Sequence, residues 1–204
     1  MRLATKRAVT CLMMPALLLG AAAAASLLEG KPLTAALAGG GYVILMRHAS
    51  SPATPPTSEQ AEPANVGHER QLDEGGRRAA RAMGEALRHL RIAVGMVLSS
   101  TSYRALETAR LAQFPDPHTY DDLAEAGRSP ERAASLRAQV ALLPGAGTNT
   151  VIITHYPNIA DAFPSDAKDL AEGEALIYRP DGHGNSVLVA RVKIEDWPKL
   201  AAAP

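Results

Sequence analysis

Two histidines and two arginines occupy corresponding positions after three short apolar segments of the sequence. Arg47 and His48 directly follow the first segment. Arg104 lies a few residues beyond the second, and His155 directly follows the third. Imidazole can carry protons or act as a nucleophile near neutral pH, and guanidinium groups bind the oxygens of phosphate in pairs. Side chains of these types, if brought together, form a cationic pocket for an oxyanion, and phosphate is the favoured candidate.

The three apolar segments are predicted to be buried β-strands. They cover residues 42–46, 95–99 and 150–154 and are short and almost free of polar side chains. In open α/β sheets, ligands bind in the crevice outside the carboxyl ends of the strands. If the three strands are parallel neighbours, the histidines and arginines therefore converge on one site.

Amphipathic helices are predicted between these strands. The first covers residues 73–90 with Asp73 as its cap, the second residues 100–112 and the third residues 130–143. Residues 174–193 contain two strand-like segments around a turn-rich hexapeptide, which indicates a hairpin. The pattern predicts an α/β fold, a three-layer α/β/α sandwich around a mainly parallel sheet with antiparallel edge strands.

Composition narrows the class of protein. The chain has 204 residues, 21 Lys and Arg against 21 Asp and Glu, and 47% hydrophobic residues. This length fits one domain, and the apolar content excludes wholesale disorder. The balanced charge lacks the basic excess of a nucleic-acid binder, so no nucleic-acid partner is expected.

The N-terminal segment is predicted to be a secretory signal peptide. Residues 1–25 contain three basic residues among the first seven, continue as an uncharged apolar stretch and end with an A-x-A-like pair of alanines before Ser26. The alternative of a retained membrane anchor is less favoured, because the stretch is short and weakly hydrophobic. The only cysteine, Cys11, lies within it. We expect a single domain over residues 26–204, secreted or periplasmic, with no stable membrane insertion after cleavage.

Four motifs together resemble a known family. They read, in order, ILMRHA, LDEGGRRAARAMGEAL, VLSSTSYRALETA and VIITHYPNIA. This ordered set resembles the signatures of the histidine phosphatase superfamily, in its phosphoglycerate mutase-like branch, over residues 42–197. The resemblance implies a phosphoglycerate mutase-like fold and catalysis without a metal ion or other cofactor.

The resemblance also implies roles for the four side chains. His48 would attack phosphorus as a neutral imidazole and form a covalent phosphohistidine. Arg47 and Arg104 would bind the equatorial oxygens, and His155 would be a further donor to the transferring group. Two departures from the family pattern, Ala49 and Tyr156 at positions where glycine is common, argue against mutase activity.

The general acid is expected to be a glutamate. Glu125 resembles the family position in which a Leu-x-Glu segment protonates the leaving oxygen. The alternative is that Glu125 is a surface acid beside Asp121 and Asp122, in which case Glu69 is the next candidate. The irregular stretch of residues 50–71, which contains Glu69, is expected to form a wall of the pocket and to influence substrate choice.

The residues leave three classes of function open. The favoured one is a phosphatase that acts on a small-molecule or glycan phosphate ester, with a sugar phosphate, a phosphorylated envelope glycan or protein phosphohistidine as candidate substrates. The second is a non-catalytic phosphate or phosphosugar binder that retains the pocket. The third is a metalloenzyme with His48, His155 and an acid as ligands, which is least favoured because the sequence has no HExxH-like spacing.

Overall fold

A computed structural model describes residues 27–203 of the protein. The predicted signal peptide, residues 1–25, lies outside the described residues. Within residues 27–203, no helix is long and apolar enough to cross a bilayer.

A six-stranded sheet forms the middle of the fold. Its strands are β1 (Val43–Arg47), β2 (Val94–Ser99), β3 (His118–Thr119), β4 (Asn149–Thr154), β5 (Ala175–Pro180) and β6 (Ser186–Val192). Their order across the sheet is β3-β2-β4-β1-β5-β6. The first four in this order are parallel, and the β5–β6 hairpin adds antiparallel strands at one edge. The predicted mainly parallel sheet with antiparallel edge strands is confirmed.

Helices cover both faces of the sheet. They are α1 (Gly30–Gly39), α2 (Glu74–His89), α3 (Tyr103–Leu111), α4 (Pro130–Val140), α5 (Tyr156–Ala162) and α6 (Trp197–Ala202). Apolar side chains of α1, α2, α3 and α6 form one core with one face of the sheet, and those of α4 and α5 form a second core with the other face. The two cores divide the side chains of β1 alternately, as the pleat of a strand requires. The predicted three-layer α/β/α architecture is therefore confirmed.

The helix boundaries differ from the predictions mainly at their ends. Asp73 caps α2 as predicted, because its Oδ1 accepts a hydrogen bond of 2.6 Å from the Gly76 N–H. Helix α3 starts later than the predicted residue 100, because the Ser100 hydroxyl accepts the Ser102 N–H and holds residues 100–102 in a turn. The short helices α5 and α6 and the N-terminal α1 were not predicted.

The sheet order places the three predicted strands side by side. Strand β4 lies between β1 and β2, with Arg47 paired with Thr154 and Ser99 paired with Ile153. The pairing continues past β1, where the His48 N–H donates to the Thr154 carbonyl at 3.0 Å. The residues that follow the three strands are therefore neighbours at one edge of the sheet, as the sequence predicts.

Candidate active site

His48 is a buried and neutral histidine whose Nε2 is directed at an arginine. Its exposed fraction is 3%, and its Nδ1 donates a hydrogen bond of 2.8 Å to the Ala49 carbonyl. Its Nε2 accepts a hydrogen bond of 3.1 Å from Arg104 Nε. Burial lowers the pKa of His48 to about 3, and the charges of Arg104 and Arg47 act in the same direction. The ring thus has its lone pair on Nε2 at neutral pH.

Arg104 forms hydrogen bonds with both histidines and with Glu125. Besides the bond to His48, its Nη2 donates to Glu125 Oε2 at 2.6 Å and to His155 Nδ1 at 3.0 Å. The side chain is almost fully buried, in the first turn of α3. Thr108, one turn further along α3, accepts the Ala49 N–H at 3.1 Å and donates to the Arg104 carbonyl at 2.8 Å. This bridge fixes α3 against the residue that follows His48.

His155 is a second buried, neutral histidine. Its Nδ1 accepts from Arg104, so its Nε2 carries the proton and donates to the Ser100 hydroxyl at 2.9 Å. Burial lowers the pKa of His155 to about 2, and the positive charge of Arg104 contributes in the same direction. The centroids of the two imidazole rings are 5.3 Å apart. The two histidines predicted to converge therefore do so.

Both candidate acids lie at the same cleft. The cleft has a volume of about 430 Å³ and is lined by Glu69, Glu125, Arg104 and His155, among others. Glu125 binds Arg104 directly, and its carboxylate is 4.0 Å from His155 Nδ1. Glu69 instead accepts the Tyr103 N–H at 3.1 Å, at the start of α3. Glu125 is thus the acid in contact with the histidine–arginine cluster.

Arg47 takes a different position from the other predicted residues. Its Nη2 forms an ion pair of 2.8 Å with Glu172, and its Nη1 donates to the Leu170 carbonyl at 3.4 Å. Its Nε is buried and has no hydrogen-bond partner among the described residues. The Arg47 charge still lowers the pKa of both His48 and His155, so the guanidinium lies near the cluster without being bonded to it.

Sequence reasoning missed a third arginine, Arg70. Its Nε donates to the Pro52 carbonyl at 2.7 Å and its Nη2 to the Ser51 carbonyl at 3.2 Å. Its charge lowers the pKa of His48, of Arg104 and of His155. The one signal in the sequence was that residues 50–71 contain no other lysine or arginine.

The arrangement has the parts needed to hold and transfer a phosphoryl group. Arg104 donates to the Nε2 of a neutral imidazole at the carboxyl edge of a parallel sheet, and the charges of Arg47 and Arg70 also lower the pKa of that imidazole. Guanidinium groups match the geometry of phosphate oxygens, and phosphoryl transfer depends mainly on positioning and charge stabilisation. Among residues 27–203, no group of three or more His, Cys, Asp or Glu side chains is placed to hold a metal ion.

Comparison with known proteins assigns the family. The sequence matches the profile of the histidine phosphatase superfamily (branch 1) over residues 43–144, which is half of the chain. The chain belongs to the histidine phosphatase superfamily. A comparison with curated proteins finds no match.

Solved structures share this fold. The protein histidine phosphatase SixA, in complex with tungstate, superposes with a TM-score of 0.57 at 18% identity, covering 76% of this chain and 98% of SixA. A phosphoserine phosphatase mutant from Entamoeba histolytica, in complex with phosphoserine, gives a TM-score of 0.52 at 13% identity, covering 76% of this chain and 98% of that protein. At such low identity these likenesses show the fold alone, and they agree with the architecture described above.

Proposed function

We propose that the protein is a phosphatase that hydrolyses phosphomonoesters through a covalent phosphohistidine on His48. The observation that carries this proposal is the state of His48, a buried neutral imidazole whose Nδ1–H is held by a backbone carbonyl and whose Nε2 lone pair points at Arg104. A phosphoryl group bound by Arg104 would replace the Arg104–His48 hydrogen bond and would lie in front of the lone pair that is freed. In-line attack by Nε2 then forms the P–N bond as the P–O bond to the leaving group breaks.

The proposed phosphate site uses donors from three elements. Arg104 on α3 and Arg70 on the loop of residues 50–71 would bind phosphoryl oxygens, and Arg47 on β1, whose charge also lowers the pKa of His48, would add positive charge to the site. His155 becomes a donor when its proton lies on Nδ1. Ser100 permits that tautomer, because its hydroxyl can donate to Nε2 as readily as it accepts from it.

Glu125 is the proposed general acid. In the free protein the Glu125 carboxylate forms an ion pair with Arg104. A bound phosphoryl group would replace the carboxylate as the partner of Arg104. The displaced carboxyl group would protonate the leaving oxygen as the P–O bond breaks. In the second step it would accept a proton from the water that attacks phosphorus, and the P–N bond breaks to release phosphate and neutral His48.

The substrate is proposed to be a small-molecule or glycan phosphate ester, or phosphohistidine. The names of two structural neighbours support this range, since one is a protein histidine phosphatase and the other a phosphoserine phosphatase. The arginines supply the positive charge that metal ions supply in other phosphatases, so we propose that no metal is required. Because the sequence predicts a signal peptide, we propose that the activity lies outside the cytoplasm.

Trapping the phosphoenzyme tests the proposal. The purified protein is assayed for turnover of a panel of phosphate esters in the presence of EDTA. In a second assay the protein reacts with a ³²P-labelled ester, and the reaction is quenched to trap the labelled phosphoenzyme. We expect turnover and an alkali-stable, acid-labile phosphoprotein, both of which are lost in His48→Ala. His183→Ala is the matched control, because His183 is exposed in the β5–β6 turn and should be dispensable.

Three results would contradict the proposal. Label on His48→Ala would reject His48 as the nucleophile. Loss of activity in EDTA with recovery in zinc or magnesium would favour the metalloenzyme. Phosphate binding without turnover of any ester would favour a non-catalytic binder.

A further inference from the structure

The segment that carries Glu125 has little regular structure of its own. It runs from the 3₁₀ turn Asp121–Leu123 to the start of α4 at Pro130 and contains Gly127, whose φ is +73°. A segment without helix or strand hydrogen bonds depends on neighbouring side chains for its position. The position of Glu125 therefore depends on the side chains that form hydrogen bonds with the backbone of this segment.

Side chains hold three backbone carbonyls around Glu125. Thr154 donates to the Leu123 carbonyl at 2.7 Å. Asn158 Nδ2 donates to the Ala124 carbonyl at 2.9 Å, directly before Glu125. On the other side, Arg132 Nη1 donates to the Ala126 carbonyl at 2.6 Å.

We propose that Asn158 is a positioning residue that sets Glu125 relative to His155. This inference rests on the proposed function, in which Glu125 is the general acid. Thr154 ends β4 and Asn158 lies in the first turn of α5, so the two residues flank His155 in the chain. The β4–α5 junction, which holds His155, thus also holds the segment that carries Glu125. Asn158 binds the carbonyl of Ala124, the residue directly before Glu125.

The surroundings of Asn158 support this role. The residue is 6% exposed, and its Oδ1 has no hydrogen-bond partner among the described residues. An unsatisfied buried acceptor is unfavourable, and an aliphatic side chain of similar size would avoid it. Packing alone therefore does not account for an amide here, whereas the Nδ2 donor to the Ala124 carbonyl does.

The test compares leaving groups that differ in their need for an acid. An alkyl alcohol must be protonated as it leaves, whereas nitrophenolate leaves without help. In Asn158→Leu, which keeps the size and removes the donor, we expect kcat/KM for an alkyl phosphate to fall about 10-fold to 100-fold. Hydrolysis of nitrophenyl phosphate should change much less. Asn158→Asp, which keeps the shape and replaces the donor by an acceptor, should show the same selectivity and serves if the leucine variant folds poorly.

Two further variants separate positioning from a merely structural role. Gln139→Leu is the matched control, because Gln139 also has a buried amide oxygen without a partner in the described part of the chain, yet lies in the last turn of α4. It should leave both activities unchanged. In a Glu125→Gln background, Asn158→Leu should cause no further loss with the alkyl ester, since the acid it positions is already gone.

The outcomes distinguish the inference from the function on which it rests. Equal losses with both esters, no loss with either, or additive losses in the double variant would overturn the positioning role alone. Failure of the unmodified protein to hydrolyse either ester would overturn the proposed phosphatase and the inference with it.

Discussion

At the residue scale, the site combines neutral histidines with charged arginines. Burial and the neighbouring positive charges lower the pKa of His48 to about 3 and that of His155 to about 2. Both rings are therefore uncharged over the physiological range, and the proposed nucleophile needs no base to remove a proton from Nε2. The charge of the arginines thus adds to burial in keeping the imidazoles neutral, and in the proposed function it also attracts the phosphate dianion.

Arg70 provides a prediction at this scale. Arg70→Ala removes one of three guanidinium groups around the proposed phosphate site, so we expect kcat/KM to fall by about 10²-fold to 10³-fold and vanadate inhibition to weaken. Steady-state kinetics with and without vanadate measure both effects. Arg78→Ala is the control, since Arg78 is an exposed partner of Glu74 on α2. Wild-type rates in Arg70→Ala would show that Arg70 does not bind the phosphoryl group.

At the element scale, the site depends on how closely α2 and α3 approach each other. Gly84 on α2 lies against the end of α3, where an added Cβ would collide with the Ala112 carbonyl group. Arg88, also on α2, donates to the same carbonyl at 2.8 Å. This contact sets the position of α3, and α3 carries Arg104 into the site. A small residue in α2 thus supports the position of the helix that carries Arg104.

Substitution of this glycine tests the close approach. Alanine is ordinarily the better helix former, but here its methyl group meets backbone that cannot rotate away. We expect Gly84→Ala to lower the free energy of unfolding by about 1–3 kcal/mol, as overpacking does. Gly75→Ala is the control in the same helix, because the nearest atom to its Cβ is the Asp73 carboxylate at 3.1 Å. Urea denaturation measures both variants, and equal stability of the two would argue against the packing described.

At the scale of the whole molecule, the buried histidines couple folding to pH. In the unfolded chain a histidine takes up a proton near its ordinary pKa of about 6.5, whereas folded His48 stays neutral down to a pH of about 3. Between these values the unfolded state binds more protons than the folded state. Stability is therefore greatest above the unfolded pKa and is lost as the pH falls toward 3.

Urea titrations at two pH values test this coupling. From pH 7 to pH 5 we expect His48 and His155 each to remove about 1–2 kcal/mol of the free energy of unfolding. His48→Gln should reduce the pH dependence by the share of one histidine, whereas His183→Gln, on the exposed turn, should not alter it. The same pH dependence in His48→Gln and the unsubstituted protein would show that His48 is not neutralised by burial.

The strands and helices that position the site could be predicted from the sequence alone. Apolar segments long enough for a buried strand, alternating with amphipathic helices, are local signals, and they predicted three of the parallel strands and helices α2, α3 and α4. The parallel order of neighbouring strands then fixed where His48, Arg104 and His155 meet, because such strands end at one edge of the sheet. The family motifs follow the same elements, so family and fold were predicted together.

Only the tertiary structure decides which charged groups pair within the site. Three features depend on irregular segments far apart in the chain. They are the contact of Arg104 with Glu125 instead of Glu69, the pairing of Arg47 with Glu172, and the effect of the Arg70 charge on Arg104. Local sequence patterns carry no signal for such placements, since side chains from other elements hold these backbones. The short helices α5 and α6 escaped prediction for a related reason, because helices of seven and six residues are stabilised by packing and not by their own propensity.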